Sequence, residues 1–138
     1  MADSLTPEKR SWNMSRIKGK DTTIEVMVRK FLFKKGLRFR KNVKELPGKP
    51  DIVLKKYNTV IFVHGCFWHR HENCPDANLP KTKTDFWTDK LNKNVIRDKE
   101  NIKKLTDAGW EVIVIWECQL SKKNFEVKMN KIYSQIIR

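Results

Sequence analysis

The segment from Val63 to Cys74, which reads VHGCFWHRHENC, carries most of the residues in this chain that could do chemistry. It places two cysteines and three histidines close together, beside an adjacent Phe-Trp pair. Thiolate sulfur and imidazole nitrogen are ligands that zinc prefers. A third cysteine, Cys118, follows an apolar run far downstream, where the fold could return it as a further ligand.

A tetrahedral zinc site could be built from Cys66, His71, Cys74 and Cys118, which uses every cysteine in the chain. The spacing of the first three is not that of a common zinc finger. A site filled by three sulfurs and one nitrogen would be structural rather than catalytic, because no position is left open for a substrate. The alternative for Cys118 is a small buried residue at the end of a strand.

Two histidines, His64 and His69, remain free for other chemistry. A long predicted helix carries an apolar stripe made of Leu91, Val95, Ile102 and Leu105. Asp98 falls on the same stripe, so we expect its carboxylate to face inward and to need a partner. Pairing with His69 would fix the imidazole tautomer and raise its basicity, as general acid–base catalysis requires. A surface histidine is the alternative for His69.

A candidate magnesium ligand is Asp51, which follows Pro-Gly-Lys-Pro at the start of a predicted buried strand. Glu25, in the preceding helix, could reach the same ion or its water, although it also fits a capping box with Thr22. The next strand ends at Val63-His64, which would bring a backbone carbonyl and an imidazole to the same edge. Pro-Asp pairs usually begin turns, and this is the alternative for Asp51.

Two aromatic pairs, Phe67-Trp68 and Phe86-Trp87, flank the motif and open the long helix. Aromatic wedges can separate stacked DNA bases at a cost of roughly a few kcal/mol per step, which is least where base pairing is already poor. We interpret Phe67, Trp68 and Trp87 as such a wedge. The alternative is a place in the core, and this is what we expect for Phe86.

Hydrophobic periodicity predicts helix, three strands, helix, strand and helix, an α/β sandwich around one mixed sheet. The predicted strands span residues 37–43, 51–54, 59–63 and 110–116. The predicted helices span residues 22–36, 85–108 and 121–137. We expect residues 1–20 to form a flexible basic arm that orders on a partner, and residues 21–138 to form a single domain.

The chain of 138 residues has a net charge of +14, and its basic residues recur along its whole length. Such a surface favours a polyanion, with nucleic acid as the first candidate and an anionic membrane as the second. No apolar run reaches transmembrane length, and Met1 to Lys20 is polar, so we expect a cytoplasmic protein. There, an odd number of cysteines fits metal ligands better than disulfides.

Four segments, PGKPDIV, VIFVHGCFWHRH, TKTDFWTDKLNKNVIRD and GWEVIVIWEC, resemble the very-short-patch-repair (Vsr) endonucleases of bacteria. The resemblance runs from NMSRIKGKDTTIE to Glu117-Cys118. It implies a restriction-endonuclease-like fold, a variant of the PD-(D/E)xK superfamily, with a structural zinc. It also implies a Mg²⁺-dependent nick 5′ to the thymine of a T·G mismatch, the first step in repairing deaminated 5-methylcytosine.

The resemblance also implies a role for each candidate residue. Asp51 and the backbone carbonyl of Val63 bind Mg²⁺, and His69 is the general acid–base with Asp98 as its partner. The supporting site residues are Glu25 and His64. The structural zinc ligands are Cys66, His71, Cys74 and Cys118. The wedge that intercalates into DNA is formed by Phe67, Trp68 and Trp87.

The chain departs from the wider nuclease superfamily after Pro50-Asp51, because the acidic-x-Lys motif is replaced by Phe62-Val63-His64. This moves the proton chemistry onto histidine. The expected partner is duplex DNA with a T·G mismatch, bound by a monomer in the bacterial nucleoid, and mismatch-repair proteins are further candidate partners. The alternatives are a zinc-stabilised DNA-binding module without catalysis and a restriction-type nuclease that cuts matched DNA.

Overall fold

The computed structural model of the protein describes residues 23–72, 74, 79 and 81–138. The helices in this part of the chain are α1 (Thr23–Lys34), α2 (Thr84–Asp107) and α3 (Phe125–Ile137). The strands are β1 (Arg40–Lys41), β2 (Ile52–Leu54), β3 (Thr59–His64) and β4 (Glu111–Trp116). The predicted order of elements is confirmed. The predicted arm of residues 1–20 and the capping residue Thr22 lie outside the described residues.

The first strand is much shorter than predicted, because the residues before it complete the end of α1. Gly36 has a φ of 92°, and the amide of Leu37 donates to the carbonyl of Leu32 over 3.1 Å. This is the left-handed glycine cap with a six-to-one hydrogen bond that commonly closes helices. Only Arg40 and Lys41 then pair with β2.

The sheet is mixed, as predicted, and its strand order is β1-β2-β3-β4. The first three strands are antiparallel neighbours, and β3 pairs with β4 in parallel, with His64 opposite Trp116. The start of β2 and the ends of β3 and β4 therefore lie at one edge of the sheet. The motif loop and the carboxylate of Asp51 both begin at this edge.

Alternation along the strands divides the core into two layers. Ile61, Ile113 and their same-face neighbours pack with Val28 and Leu32 of α1 and with Met129 of α3. The opposite face, which includes Val60 and Phe62, packs against Leu105 and Ile102 of α2. The sheet is thus covered by helices on both sides. Within the described residues, no helix has the length and apolar character needed to cross a membrane.

The turn before Asp51 depends on Gly48. Its φ is 76°, and a Cβ at this position would lie 3.1 Å from Cβ of Asn101 and 3.1 Å from Cε1 of Phe62. Glycine is therefore required both by the left-handed backbone and by the close approach of α2. Lys49 follows with a φ of 49°. This tight turn delivers Asp51 to the edge where β3 ends.

Candidate functional site

A cavity of about 610 Å³ opens at the edge of the sheet where β2 begins and β3 ends. It is lined by residues of α1, the β1–β2 connection, β3, the motif loop and α2. These include every residue predicted for the magnesium and proton chemistry, namely Glu25, Asp51, Val63, His64, His69 and Asp98. The structure therefore brings together side chains that the sequence spreads over 74 positions, from 25 to 98.

Asp51 is tied directly to the end of β3. Its Oδ2 accepts a hydrogen bond of 2.6 Å from the backbone amide of Val63. Burial, with a smaller contribution from the charge of Glu25, raises the pKa of Asp51 from its ordinary value of 3.8 to about 7, against the lowering effect of the Val63 amide. A carboxyl group held in this way is costly to ionise without a cation, which is the electrostatic setting of a metal ligand.

Glu25 lies in the first turn of α1 and is only 4% exposed. One of its carboxylate oxygens is 3.8 Å from Nη1 of Arg29, one helical turn further along. Because Glu25 also lines the cavity that contains Asp51, two carboxylates share this pocket. Hard oxygen ligands of this kind suit Mg²⁺.

His69 and Asp98 form a close pair, with Nδ1 and Oδ2 2.6 Å apart. Both side chains are partly buried, and Asp98 does face inward from α2, where the helical stripe predicted it. The carboxylate holds the Nδ1 position, so Nε2 of His69 is the nitrogen left to exchange a proton. His64, His69 and Asp98 also place their ligand atoms within 4.8 Å of one another and could hold a metal ion.

His64 is a buried imidazole stacked on His69. The ring centroids are 3.7 Å apart and the rings are nearly parallel, at 4°. Burial, and to a smaller extent the neighbouring His69, lowers the pKa of His64 to about 3, so this ring is neutral at physiological pH. Among the described residues, no hydrogen-bond partner is found for its buried Nδ1. Buried polar atoms without partners are rare enough to mark a site with a special role.

A second cluster lies beside the cavity and contains the four predicted zinc ligands, Cys66, His71, Cys74 and Cys118. Their ligand atoms lie within 4.8 Å of one another. The Sγ of Cys118 is 3.3 Å from Nδ1 of His71, and a backbone hydrogen bond of 2.9 Å from His71 to Cys66 closes the loop between them. Although Cys118 follows strand β4, which packs on the core with one face, it is itself exposed, so burial in the core does not account for it.

The donor atoms of this second cluster fit a tetrahedral metal ion. Sulfur ligands bound ~2.3 Å from zinc lie roughly 3.8 Å apart, which small side-chain adjustments within the cluster can reach. Burial raises the pKa of the Cys66 thiol to about 12, and the thiols of Cys118 and Cys74 are close enough to hydrogen-bond with it. A bound cation reverses this preference, because it deprotonates a coordinating thiol.

The predicted wedge forms an aromatic cluster outside the two core layers. Phe67 and Trp68 contact Trp87 edge-on, with centroids 5.5 and 5.9 Å away. The expectation that Phe86 lies in the core is wrong: its side chain is 55% exposed, and it contacts Trp87 from the outer side at 5.2 Å. It opens α2 before the stripe that packs on the sheet begins. Phe86 therefore extends the aromatic surface.

Helix α2 holds the motif loop in place through polar contacts. Nδ2 of Asn94 donates to the carbonyl of Trp68 over 3.1 Å, and the guanidinium of Arg70 donates to the side-chain oxygen of Asn92. The ammonium of Lys90 lies 5.8 Å from the centre of the Trp68 ring. The wedge is thus fixed to a rigid helix and carries a cation at its surface.

Four polar residues of the cavity were not identified from the sequence, namely Asn42, Lys44, Lys49 and Asn101. Asn101 lies three positions after Asp98 on α2, so helical spacing could have placed it on the same face. No comparable signal marks Lys44 or Lys49, because they belong to an irregular connection. Both lysines bring positive charge to a cavity that contains three carboxylates.

The chain is similar to known proteins over most of its length. A model of the family "DNA mismatch endonuclease Vsr" matches residues 2–76. The type II nicking enzyme V.NmeAIP of Neisseria meningitidis is 49% identical over 137 residues, 99% of this chain and 97% of that protein. The DNA mismatch endonuclease Vsr of Escherichia coli is 46% identical over 120 residues, 87% of this chain and 76% of that protein. The nicking enzyme V.XorIIP of Xanthomonas oryzae is 45% identical, with 88% of each chain covered.

The group formed by Cys66, His71, Cys74 and Cys118 is called the metal cluster below. Replacing Cys118 with serine tests whether it binds zinc. We expect the purified protein to contain about one equivalent of zinc and the variant to contain almost none, since one thiolate of the set is lost. Loss of the cross-link between the motif loop and the end of β4 should lower the melting temperature by roughly 10 °C, as a loss of a few kcal/mol does in a domain of this size. Metal analysis and thermal unfolding measure both effects.

The exposed Lys122 supplies a control, because Lys122→Ala alters the same surface segment and should change neither the metal content nor the melting temperature. A chelator should then destabilise the wild type much more than Cys118→Ser. Unchanged metal content in Cys118→Ser would remove this residue from the cluster.

The raised pKa of Asp51 predicts a pH-dependent stability in the absence of added Mg²⁺. The folded protein keeps this proton up to about pH 7, whereas the unfolded chain releases it near 3.8. Folded protein therefore binds the extra proton between these values, and the contribution of Asp51 to stability falls as the pH rises through the window. Relative to the wild type, the free energy of unfolding of Asp51→Asn should rise by a few kcal/mol from about pH 4 to pH 7. It should not rise further above pH 7.

Urea unfolding at several pH values measures this difference, and Asp107→Asn is the matched control, because Asp107 is exposed and pairs with Lys103 on the surface of α2. The control should show no comparable trend. A constant difference between Asp51→Asn and wild type over this range would contradict the burial of an ionisable Asp51.

Proposed function

The chain belongs to the Vsr family of DNA mismatch endonucleases, and we propose that it nicks duplex DNA specifically at T·G mismatches. The nick falls on the strand that carries the thymine, 5′ to that base, and begins the repair of deaminated 5-methylcytosine. The observation that carries this proposal is the convergence of Asp51, Glu25 and the His69–Asp98 pair on one cavity at the edge of the sheet.

The arrangement of the sheet supports a restriction-endonuclease-like fold. A carboxylate at the start of β2 lies beside the end of the antiparallel β3, so that Asp51 and the main chain at Val63 share one edge. Nucleases of that class commonly carry a lysine two positions after a second acidic residue. Here the corresponding stretch ends in His64, so positive charge and proton transfer must come from other groups.

Mg²⁺ fits the donor atoms at this edge. Asp51 would hold the ion with the backbone carbonyl of Val63, and Glu25 would hold its water, since all three residues line the cavity. When bound, the ion would supply Lewis-acid polarisation of the scissile phosphate and would lower the pKa of a water molecule. Binding would also relieve the cost of ionising Asp51, whose pKa burial has raised to about 7.

His69 is the group that moves the proton. With Asp98 on Nδ1 at 2.6 Å, the neutral ring keeps its proton there and presents Nε2 as an acceptor. A water molecule that attacks the phosphorus forms a new phosphorus–oxygen bond and gives its proton to this nitrogen. The bond to the 3′ oxygen breaks, this oxygen takes a proton from solvent water, and His69 releases its own proton to solvent, so that the reaction consumes one water molecule overall. Neutral His64 supports the ring from one face without adding charge.

Two sources of positive charge hold the DNA. The net charge of +14 favours binding to the phosphate backbone as a whole. The logarithm of the affinity should fall linearly with the logarithm of the salt concentration, with a slope of roughly −0.9 per phosphate neutralised. Lys44 and Lys49 provide charge at the cavity itself, where the anionic scissile phosphate must approach three carboxylates. We therefore propose that these two lysines bind the phosphates of the strand that is cut.

The aromatic cluster would select the mismatch. Phe67, Trp68 and Trp87 present a rigid apolar surface beside the cavity, and the proposal is that it enters the base stack next to the mismatch. A T·G pair opens more cheaply than a Watson–Crick pair, so the cost of unstacking discriminates between them. The metal cluster holds Phe67 and Trp68 between two of its ligands, Cys66 and His71. A structural zinc would therefore keep the wedge and His69 in register.

A nicking assay tests the proposed reaction. One set of duplexes carries T·G, T·A or C·G at a single position in varied flanking sequence, with a different dye on each strand. We expect cleavage of the thymine strand of T·G only, and no cleavage when Mg²⁺ is omitted. Asp51→Asn should bind the mismatch but not nick it, and His69→Ala should nick ~10²–10⁴-fold more slowly, the usual contribution of a general acid–base.

Asp107→Asn again serves as control and should retain full activity. Binding without nicking by the wild type would favour a DNA-binding module, and cleavage of both strands of matched duplexes would favour a restriction-type nuclease. Either result would overturn the proposed function. Metal should be withdrawn by omission rather than by chelation, because a chelator would also attack the cysteine cluster.

Trp68→Ala tests the wedge. Stacking of an aromatic side chain on a base contributes about 1–3 kcal/mol, so the preference for T·G over T·A duplexes should narrow by roughly 5- to 150-fold. Binding titrations on the two duplexes measure the ratio. Phe33→Ala is the matched control, because Phe33 is 55% exposed and lies on α1, outside the cluster. Equal ratios for Trp68→Ala and wild type would leave the wedge without a role.

A further inference from the structure

Trp116 lies between the metal cluster and the His64–His69 pair. It ends β4, directly opposite His64 in the parallel register with β3. Its ring stacks on His71, with centroids 4.1 Å apart and an angle of 9° between the planes. The same ring meets His64 edge-on, with centroids 5.1 Å apart at 73°. One side chain thus contacts an imidazole from each of the two sites.

The ring contacts continue to the proton-transfer pair. His64 is stacked on His69, and Trp116 also meets His69 at 6.5 Å and 72°. His69 in turn is fixed by Asp98. A continuous series of ring contacts therefore runs from the metal cluster to His69, whose Nε2 is the nitrogen that exchanges the proton. These residues also line a second cavity of about 520 Å³ next to the first.

Core packing does not explain this placement. Trp116 is absent from both apolar clusters of the described residues, whereas Trp110, just before β4, packs on the layer that contains Leu105. The backbone of Trp116 is held by the sheet and by a hydrogen bond of 3.2 Å from its amide to Oε1 of Gln119. Stacked and edge-to-face arrangements are the favoured geometries of aromatic rings, and Trp116 uses both at once.

We propose that Trp116 is a positioning residue that transmits the rigid geometry of the metal cluster to His64 and His69. This inference rests on the function proposed above, since it assigns His69 to proton transfer. A planar ring clamped between two imidazoles limits how far His64 can move, and His64 in turn supports the face of His69. Displacement of a reacting group by about 1 Å can slow a reaction ~10²-fold, so such support matters to the rate.

The kinetic test compares Trp116→Leu, Trp116→Phe and the matched control Trp110→Leu. For Trp116→Leu we expect a single-turnover nicking rate ~10²-fold below wild type. The Kd for the T·G duplex should change less than roughly threefold, with zinc content as in wild type. Trp116→Phe should recover most of the rate, because it keeps an aromatic face and edge. Trp110→Leu should lower the melting temperature but leave the nicking rate of folded protein unchanged.

Histidine NMR provides a readout that does not depend on catalysis. The chain contains three histidines, so their ring-proton signals can be assigned. Removing the indole ring current in Trp116→Leu should shift the signals of His64 and His71, and loss of support should shift or broaden those of His69. Trp110→Leu should leave all three in place.

A nicking rate that falls only in proportion to lost zinc or lost folded protein would overturn the positioning role, as would a wild-type rate in Trp116→Leu. If the wild type itself fails to nick T·G duplexes, the proposed function fails, and the NMR comparison then decides the inference alone. Unchanged His69 signals in Trp116→Leu would refute it.

Discussion

Parallel pairing between β3 and β4 is the constraint on which the rest of the structure depends. It sets His64 opposite Trp116, so the chain leaves both strands at the same edge of the sheet. The motif loop begins after β3, and Cys118 follows β4 within two residues. Ligands that are far apart in sequence therefore meet without any further element to bring them together. The antiparallel strand β2 adds Asp51 to the same edge.

The electrostatics of the cavity give this edge its character. Asp51, Glu25 and Asp98 place three carboxylates around a partly desolvated space, and burial raises the pKa of Asp51 to about 7. In the proposed function, a cation and the two lysines would offset this negative charge where a phosphodiester approaches. Under the proposed function, a metal ion and the substrate would together complete this site.

Much of this could be predicted from the sequence. Helical spacing placed Asp98 on an inward face, and the apolar character of residues 59–63 and 110–116 predicted strands β3 and β4. The resemblance carried by HGCFWH supplied the family, which the comparisons confirm. Two predictions about local structure were wrong. The residues after Gly36 cap α1 instead of extending a strand, and Phe86 lies on the surface because the stripe of α2 begins later.

Neither the contacts made by Trp116 nor the positions of the lysines of the β1–β2 connection could be predicted from the sequence. Periodicity reports which face of a strand is apolar, and it assigns a half-buried tryptophan to the core by default. The ring contacts of Trp116 arise only from the register of two strands that are separated by α2. Lys49 owes its place to a left-handed turn, with a φ of 49°, for which a lysine gives no sequence signal.

The connection between β2 and β3 lies at the opposite end of these strands from the cavity. It consists of one 3₁₀ turn, Lys55–Tyr57, and Asn58 in the left-handed conformation at a φ of 50°. Its length and turn conformation set the pairing of Ile52 with Ile61, and through that pairing the distance from Asp51 to Val63. A single inserted residue there would turn alternate side chains to the wrong face. The residue count of this remote connection is therefore constrained by the geometry of the cavity at the other end of the strands.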